Sequence, residues 1–130
     1  MRIYFGSTAD ELKDFLRELT IGLPDVYTPT PIFSSTHADM DEEEIEYSLS
    51  LLAAEDALEL LSEDSGVALV IACEVPEEIL SDFDEVSAVL TSDIKWSQVE
   101  AIFTVGEDCE DLTWFAPQEA ASLIEEWLKG

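Results

Sequence analysis

Residues 67–73, with the sequence VALVIAC, form an unbroken apolar run that constrains the fold more than any other segment. Successive side chains of a strand point to opposite faces, so a strand without polar positions must be covered on both sides. Gly66, directly before the run, is typical of the end of a preceding helix. The run therefore predicts a central strand that is buried on both faces.

Several shorter segments have the composition of strands. Residues 26–33 contain Pro29 and Pro31, which cannot donate to a β-ladder, so this segment is predicted to be an edge strand. The other predicted strands are residues 2–5, 86–91, 99–105 and the shorter 112–115.

Three segments carry helix patterns. Thr8 and Glu11 form a capping box, after which apolar residues recur at helical spacing, and Pro117 stands at the first position of a closing helix. The longest pattern, residues 41–62, begins with the acidic residues that a helix N-terminus favours. Its apolar positions cover most of the circumference, which predicts a largely enclosed helix.

The elements follow one another roughly in the order βαβαβββ(β)α. The 130 residues of the chain are typical of one domain. We therefore predict a single α+β domain over residues 1–130, with a mixed β-sheet of four to five strands and three helices.

The charge of the chain constrains its partners more than its fold. Asp and Glu number 31 against 5 Lys and Arg, which gives a formal net charge of −26. Nucleic acids and anionic membranes are bound through Lys and Arg, so both are excluded as direct partners. Hydrophobic residues make up 47%, which indicates a folded domain and not a disordered acidic tail. We expect a basic protein as the partner, plausibly one that itself binds nucleic acid.

The long helix carries most of the predicted contact residues. Carboxylates at positions i and i+4 lie about 6 Å apart along a helix, a spacing similar to that of phosphates along a nucleic-acid strand. Nucleic-acid mimicry is therefore one form that docking on a basic surface can take. Trp96, between two strands, is predicted to be an aromatic interface anchor, and its exposure would also permit a homo-oligomer. The predicted partner-binding residues are Glu42, Glu43, Glu44, Glu46, Glu55, Glu59 and Trp96.

Four pieces of the sequence, occurring in order, carry a family resemblance. They are MRIY at residues 1–4, DEEEIEY at 41–47, VIACEVP at 70–76 and VEAIF at 99–103. Together they resemble a family of small uncharacterised actinobacterial proteins. The resemblance implies a single intracellular domain and carries over no catalytic residue.

The sequence offers one weak metal-site pattern. His37, Asp39 and Asp41 combine an imidazole with carboxylates, which suits Mg²⁺ or Mn²⁺ in a metal-assisted enzyme. The pattern lacks the glycine and the twelfth-position glutamate of a calcium loop. Glycine-rich phosphate loops are also missing from the sequence, which argues against nucleotide binding, and we expect no cofactor. A non-enzymatic role is favoured, with the metal-assisted enzyme kept as an alternative.

Cys73 and Cys109 have no metal-binding or disulfide spacing, so both are predicted to be reduced thiols, with Cys73 in the core. The N-terminal segment is too short for a signal sequence, and we expect a cytoplasmic protein. Besides docking on a basic partner, the sequence leaves open a housekeeping domain whose acidity serves solubility or a saline cytoplasm. The metal-assisted enzyme is the third hypothesis.

Overall fold

A computed structural model describes residues 1–36, 38–63, 65–106 and 111–129. Within them the chain forms nine strands and four α-helices, joined in places by short 3₁₀ turns. The helices are α1 (Ala9–Glu18), α2 (Pro31–Thr36), α3 (Glu42–Glu59) and α4 (Ala120–Leu128). The strands are β1 (Arg2–Thr8), β2 (Thr20–Ile21), β3 (Asp25–Tyr27), β4 (Ala68–Glu74), β5 (Leu80–Ser81), β6 (Ser87–Leu90), β7 (Ile94–Lys95), β8 (Val99–Val105) and β9 (Leu112–Phe115).

Seven of the strands form one sheet in the order β5-β6-β3-β1-β4-β8-β9, and β2 pairs with β7 in a separate ribbon. The apolar run supplies β4, which pairs with β1 over its whole length and with β8 on its other side. Every residue of β4 from Ala68 to Cys73 is buried. The prediction of a central strand buried on both faces is thus confirmed.

The sheet lies between two layers of helices. Alternate residues of β1 show this directly: Ile3 and Phe5 belong to the core shared with α1 and α4, whereas Tyr4 belongs to the core under α3. The first core also takes in the β2–β7 ribbon through Ile94. Helix α3 lies mainly over β1 and β4.

A glycine allows α3 to approach the sheet closely. A Cβ atom at Gly6 of β1 would meet the carbonyl oxygen of Ala53 and, at 2.7 Å, the backbone nitrogen of Ala57. The small side chains of Ala53 and Ala57 are fully buried at this contact. The position and the tilt of α3 are therefore fixed by a direct backbone approach to β1.

The α+β class, as a single domain, is confirmed, as are the three predicted helices. The strands outnumber the four to five predicted, because two-residue strands such as β2 and β7 leave no periodic signal. All pairs between the described strands are antiparallel, whereas a mixture was expected. Strands β3 and β4 run in the same direction, but β1 lies between them and is antiparallel to both, so they form no parallel pair.

Two local predictions are wrong. Residues 26–33 are not an edge strand: β3 ends at Tyr27 and lies between β1 and β6, and Pro31 begins α2, where its fixed φ suits a first helical turn. Helix α3 is also not largely enclosed, since Tyr47 is 51% exposed on it. The sheet covers only one side of this helix.

Candidate acidic interaction surface

Helix α3 begins where the sequence places its cap and its first acidic residues. Asp41 adopts an extended backbone conformation, and its Oδ1 accepts a hydrogen bond of 2.8 Å from the backbone N–H of Glu44. Glu42 and Glu43 then lie in the first turn, where the positive end of the helix dipole stabilises carboxylates. The start of the helix thus tolerates a local density of negative charge that would be unfavourable elsewhere.

Exposed carboxylates lie near both ends of α3. Leu49, Ala53 and Ala57 face the sheet and are buried, and Glu44, Glu55 and Glu59 lie about half a turn away from them. Glu42 and Glu43 are exposed in the first turn of the helix. Five of the glutamates predicted to bind a partner are exposed on the helix, and together we call them the acidic face. They are Glu42, Glu43, Glu44, Glu55 and Glu59.

The sixth predicted glutamate has a different environment. Glu46 is half-buried, and its Oε1 lies 4.0 Å from Nε of Arg2 on β1. Beside it, the N-terminal amine of Met1 pairs with Glu74 at 2.8 Å. These two cations lie at one end of α3 and leave the acidic face itself without an ion pair among the described residues.

The basic residues are concentrated on the other side of the sheet. Lys13 and Arg17 lie on α1, Lys95 on β7 and Lys129 directly after α4, all in the layer that packs against the first core. Arg17 pairs there with Asp14 at 2.9 Å and with Glu18 at 3.3 Å. The charge of the molecule is therefore unequal between its two faces, and the α3 side is the more negative one.

Trp96 lies away from the acidic face. Its ring packs edge-on against Phe15 of α1, with centroids 5.2 Å apart, in the layer opposite α3. The tryptophan is half-buried, and Leu19 and Lys95 lie beside it at the surface. The structure thus brings the predicted glutamates of α3 together and separates the predicted aromatic anchor from them.

Of the three predicted metal ligands, the structure describes Asp39 and Asp41. Asp41 serves as the helix cap, Asp39 is exposed, and His37 lies outside the described residues. No group of three or more His, Cys, Asp or Glu able to hold a metal ion occurs among the residues that the structure describes. Asp41 therefore has a structural role as the cap of α3, and the metal site, which includes His37, stays a prediction.

Sequence reasoning missed an apolar surface next to α3. On the α3 side of the sheet, β8 and β9 present Phe103, Val105 and Leu112, which are half-buried, and Trp114, which is 58% exposed. We call these four residues the open strip. The cross-strand pair of Phe103 with Trp114 places both rings on the same face. The strand alternation was visible in the sequence, but which face a helix covers was not.

Helix α3 forms one wall of the open strip. Tyr47 and Ser50 of α3 line a groove together with Phe103 and Leu112, and Glu43 and Glu46 lie at its rim. Glu43 belongs to the acidic face, so the apolar groove and the acidic face adjoin. Aromatic side chains of this kind are enriched at the centres of protein interfaces.

The opposite flank of α3 is fixed to β3 by a polar contact. The hydroxyl of Tyr27 donates a hydrogen bond of 2.7 Å to Oδ2 of Asp56. Burial, this hydrogen bond and the negative charges around it raise the pKa of Tyr27 above its ordinary value. The phenol therefore stays protonated at neutral pH and continues to donate to Asp56.

Cys73 has the properties predicted for a structural thiol. It is fully buried in β4 and free, and burial raises the pKa of its thiol from 9.0 to about 12. A thiol with so high a pKa is a poor nucleophile. Cys109 lies outside the described residues.

The fold and the surface together define a class: a small α+β domain that presents an acidic helix on one face of its sheet. The chain belongs to a family of unknown function, DUF6912, and the match spans residues 1–111, which include all of α3 and β8. This confirms the resemblance to an uncharacterised family; its actinobacterial origin stays a prediction. Comparison with curated proteins and with solved structures gave no match. No helix in the described ranges is long and apolar enough to cross a membrane.

Proposed function

We propose that this protein is a non-enzymatic binding protein that docks on a Lys- and Arg-rich protein surface through the acidic face of α3. The observation that supports this most strongly is the unequal distribution of charge between the two sides of the sheet. Glu42, Glu43, Glu44, Glu55 and Glu59 point to solvent, whereas four of the five basic side chains lie in the opposite layer.

An exposed carboxylate without an internal partner is available to an external cation. Each exposed ion pair contributes only about 0.2–1 kcal/mol, so a useful affinity requires several pairs at once. A helix supplies them at fixed positions, because the packing of Ala53 and Ala57 against Gly6 holds α3 in place. The attraction speeds association and weakens as salt rises.

The acidic face has two parts. Glu42, Glu43 and Glu44 lie in the first turn, and Glu55 and Glu59 lie near the end of the helix. Glu44 and Glu55 are separated by about 16 Å along the axis, at 1.5 Å per residue. A partner with two basic clusters at this separation fits the face best. Nucleic-acid mimicry is a narrower version of the same proposal, in which the partner is a nucleic-acid-binding protein and duplex DNA competes for it.

The partner is expected in the cytoplasm, where we also place this protein. The alternative hypothesis, that the acidity serves solubility or a saline cytoplasm, requires no particular arrangement of the charges. Under that hypothesis the position of a carboxylate on the surface has no effect on binding. The two hypotheses therefore differ in what happens when equal charge is removed from different faces.

The test compares two triple variants of equal net charge. The first removes charge from the acidic face by Glu44→Gln, Glu55→Gln and Glu59→Gln. The second, matched variant carries Glu77→Gln, Glu125→Gln and Glu126→Gln, at exposed positions away from α3.

Each protein is immobilised and exposed to a lysate of its native cell at low ionic strength. We expect the wild type and the matched variant to retain the same Lys- and Arg-rich protein, released by about 0.5 M salt, and the acidic-face variant to lose it. Equal retention by both variants, or equal loss, would support generic solvation and contradict the proposal. A partner that duplex DNA displaces would favour mimicry.

A further inference from the structure

The α3 side of the sheet is incompletely covered. Helix α3 lies mainly over β1 and β4, whereas the opposite side of the sheet carries both α1 and α4. Beyond α3 lie β8 and β9, whose side chains on this face form the open strip. Trp114 on β9 is 58% exposed on this face.

The dimensions of the open strip match one helix. Neighbouring strands lie about 4.8 Å apart, so two strands are about 10 Å wide, which is the diameter of an α-helix with its side chains. The flank of α3 that faces the strip is itself apolar. Tyr47, Leu51 and Leu58 follow one another there at the spacing of a helix–helix seam, and each is exposed or half-buried. A helix placed on β8 and β9 would contact both the strip and this seam.

The charges around the groove indicate which kind of helix can bind there. Glu43 and Glu46 border the groove that Tyr47, Phe103 and Leu112 line, and Asp111 lies exposed at the start of β9. Among the described residues, Arg2 is the only Lys or Arg on this side of the sheet, and it faces Glu46. A second copy of this chain would bring another net charge of −26 to the same surface, so self-association is opposed by repulsion. A helix with an apolar stripe and flanking Lys or Arg meets both the groove and its rim.

We infer that the open strip binds an amphipathic, basic α-helix of the partner, which packs beside α3 and completes the second helix layer. This inference rests on the proposed function and specifies it. The carboxylates attract and orient the partner, and the apolar contact with Trp114 and Tyr47 supplies affinity that salt does not screen.

The probe is a synthetic peptide of about four helical turns composed of Leu and Lys, with Leu at every third and fourth position. A control peptide has the same composition but a rearranged order without an apolar face. Binding of each labelled peptide to the full chain is measured by fluorescence anisotropy. We expect the amphipathic peptide to bind at least about tenfold more tightly than the control.

Two variants locate the site. Trp114→Ser and Tyr47→Ser change exposed side chains, so both variants are expected to fold, which circular dichroism checks. Each should reduce the preference for the amphipathic peptide over the control peptide to less than about threefold. Phe83→Ser is the matched control, because Phe83 is 37% exposed after β5, at the opposite edge of the sheet, and should leave the preference unchanged.

The outcomes separate the two proposals. If both peptides bind equally, the acidic face acts without the open strip, so this inference is overturned and the proposed function stands. If neither peptide binds at low salt, both are overturned. The assignment of the open strip to a basic helix would be overturned if Trp114→Ser and Tyr47→Ser left the preference for the amphipathic peptide intact. It would also be overturned if the wild type formed a dimer in sedimentation equilibrium that Trp114→Ser dissociates.

Discussion

Single residues determine how closely the layers of this protein approach one another. Gly6 is the clearest case, because the backbone of α3 occupies the space where a β-carbon would lie. The sequence predicted a short strand over residues 2–5 that ends directly before Gly6. Its actual role, inside a seven-residue β1 and beneath α3, depends on a contact between segments about fifty residues apart, which no local pattern contains.

Replacing this glycine tests the contact. Gly6→Ala places a methyl group against the Ala53 carbonyl and the Ala57 amide, both of them backbone groups that cannot move alone. We expect a loss of about 2–3 kcal/mol in the free energy of unfolding, measured by urea denaturation. Gly22→Ala is the control: its methyl group would meet only the mobile carboxylate of Asp93, and stability should change little. Equal effects of the two substitutions would argue against the close approach.

The buried thiol of Cys73 gives a pH dependence with a definite sign. Burial raises its pKa to about 12 from 9.0, so between these values the unfolded chain releases a proton that the folded chain keeps. The contribution of the Cys73 thiol to the free energy of unfolding is therefore fully present below pH 9 and is lost as the pH rises toward 12. In thermal unfolding between pH 8 and pH 11, Cys73→Ala should show a smaller fall in midpoint than the wild type. An unchanged fall would show that Cys73 does not contribute.

At the scale of elements, the predictions from capping and strand patterns were more accurate than the prediction that α3 is largely enclosed. Thr8 as the N-cap of α1, the start of α3 after Asp41 and the bounds of β8 and β9 agree with the structure, since each depends on neighbouring residues alone. The second half of the predicted capping box does not form, because the Glu11 carboxylate accepts from the Ser7 hydroxyl. Enclosure of α3 depends on what lies beyond it. Its apolar residues extend around most of the helix, but the chain supplies a sheet for only one side.

The helix cap can be separated from the metal hypothesis by one pair of variants. Asp41→Ala removes the acceptor of the Glu44 amide hydrogen bond and should lower the free energy of unfolding by about 1 kcal/mol. Asp39→Ala, at an exposed position, should have an effect smaller than about 0.5 kcal/mol. The measurement is urea denaturation with and without Mg²⁺ or Mn²⁺. If either ion stabilised the wild type against urea in a saturable way, and both variants abolished this stabilisation, the metal site would be supported instead.

At the scale of the whole molecule, charge opposes compaction. A net charge of −26 on 130 residues creates self-repulsion that the folded state experiences more strongly than the expanded chain. The composition predicted this penalty, but it could not show that the carboxylates of α3 are separated from most of the cations. That arrangement arises only when the sheet places α1 and α4 on one side and α3 on the other.

The repulsion should be visible as stabilisation by salt. Raising sodium chloride from about 0.02 M to about 0.3 M shortens the Debye length severalfold, so the midpoint of thermal unfolding should rise. Glu44→Gln, Glu55→Gln and Glu59→Gln combined should raise the midpoint at low salt, and the difference from the wild type should shrink at high salt. A midpoint that does not depend on salt would indicate that the charges are too far apart to interact.

The most direct test of the central claim is the dissociation constant for a Lys/Arg-rich helical peptide, compared between the two triple variants of equal net charge. Three lost contacts on the acidic face should weaken binding by about tenfold, at roughly 0.5 kcal/mol each, whereas the matched variant should stay within about twofold of the wild type. If both variants bind the peptide with the same affinity, the position of the charges is irrelevant and α3 is not the binding surface.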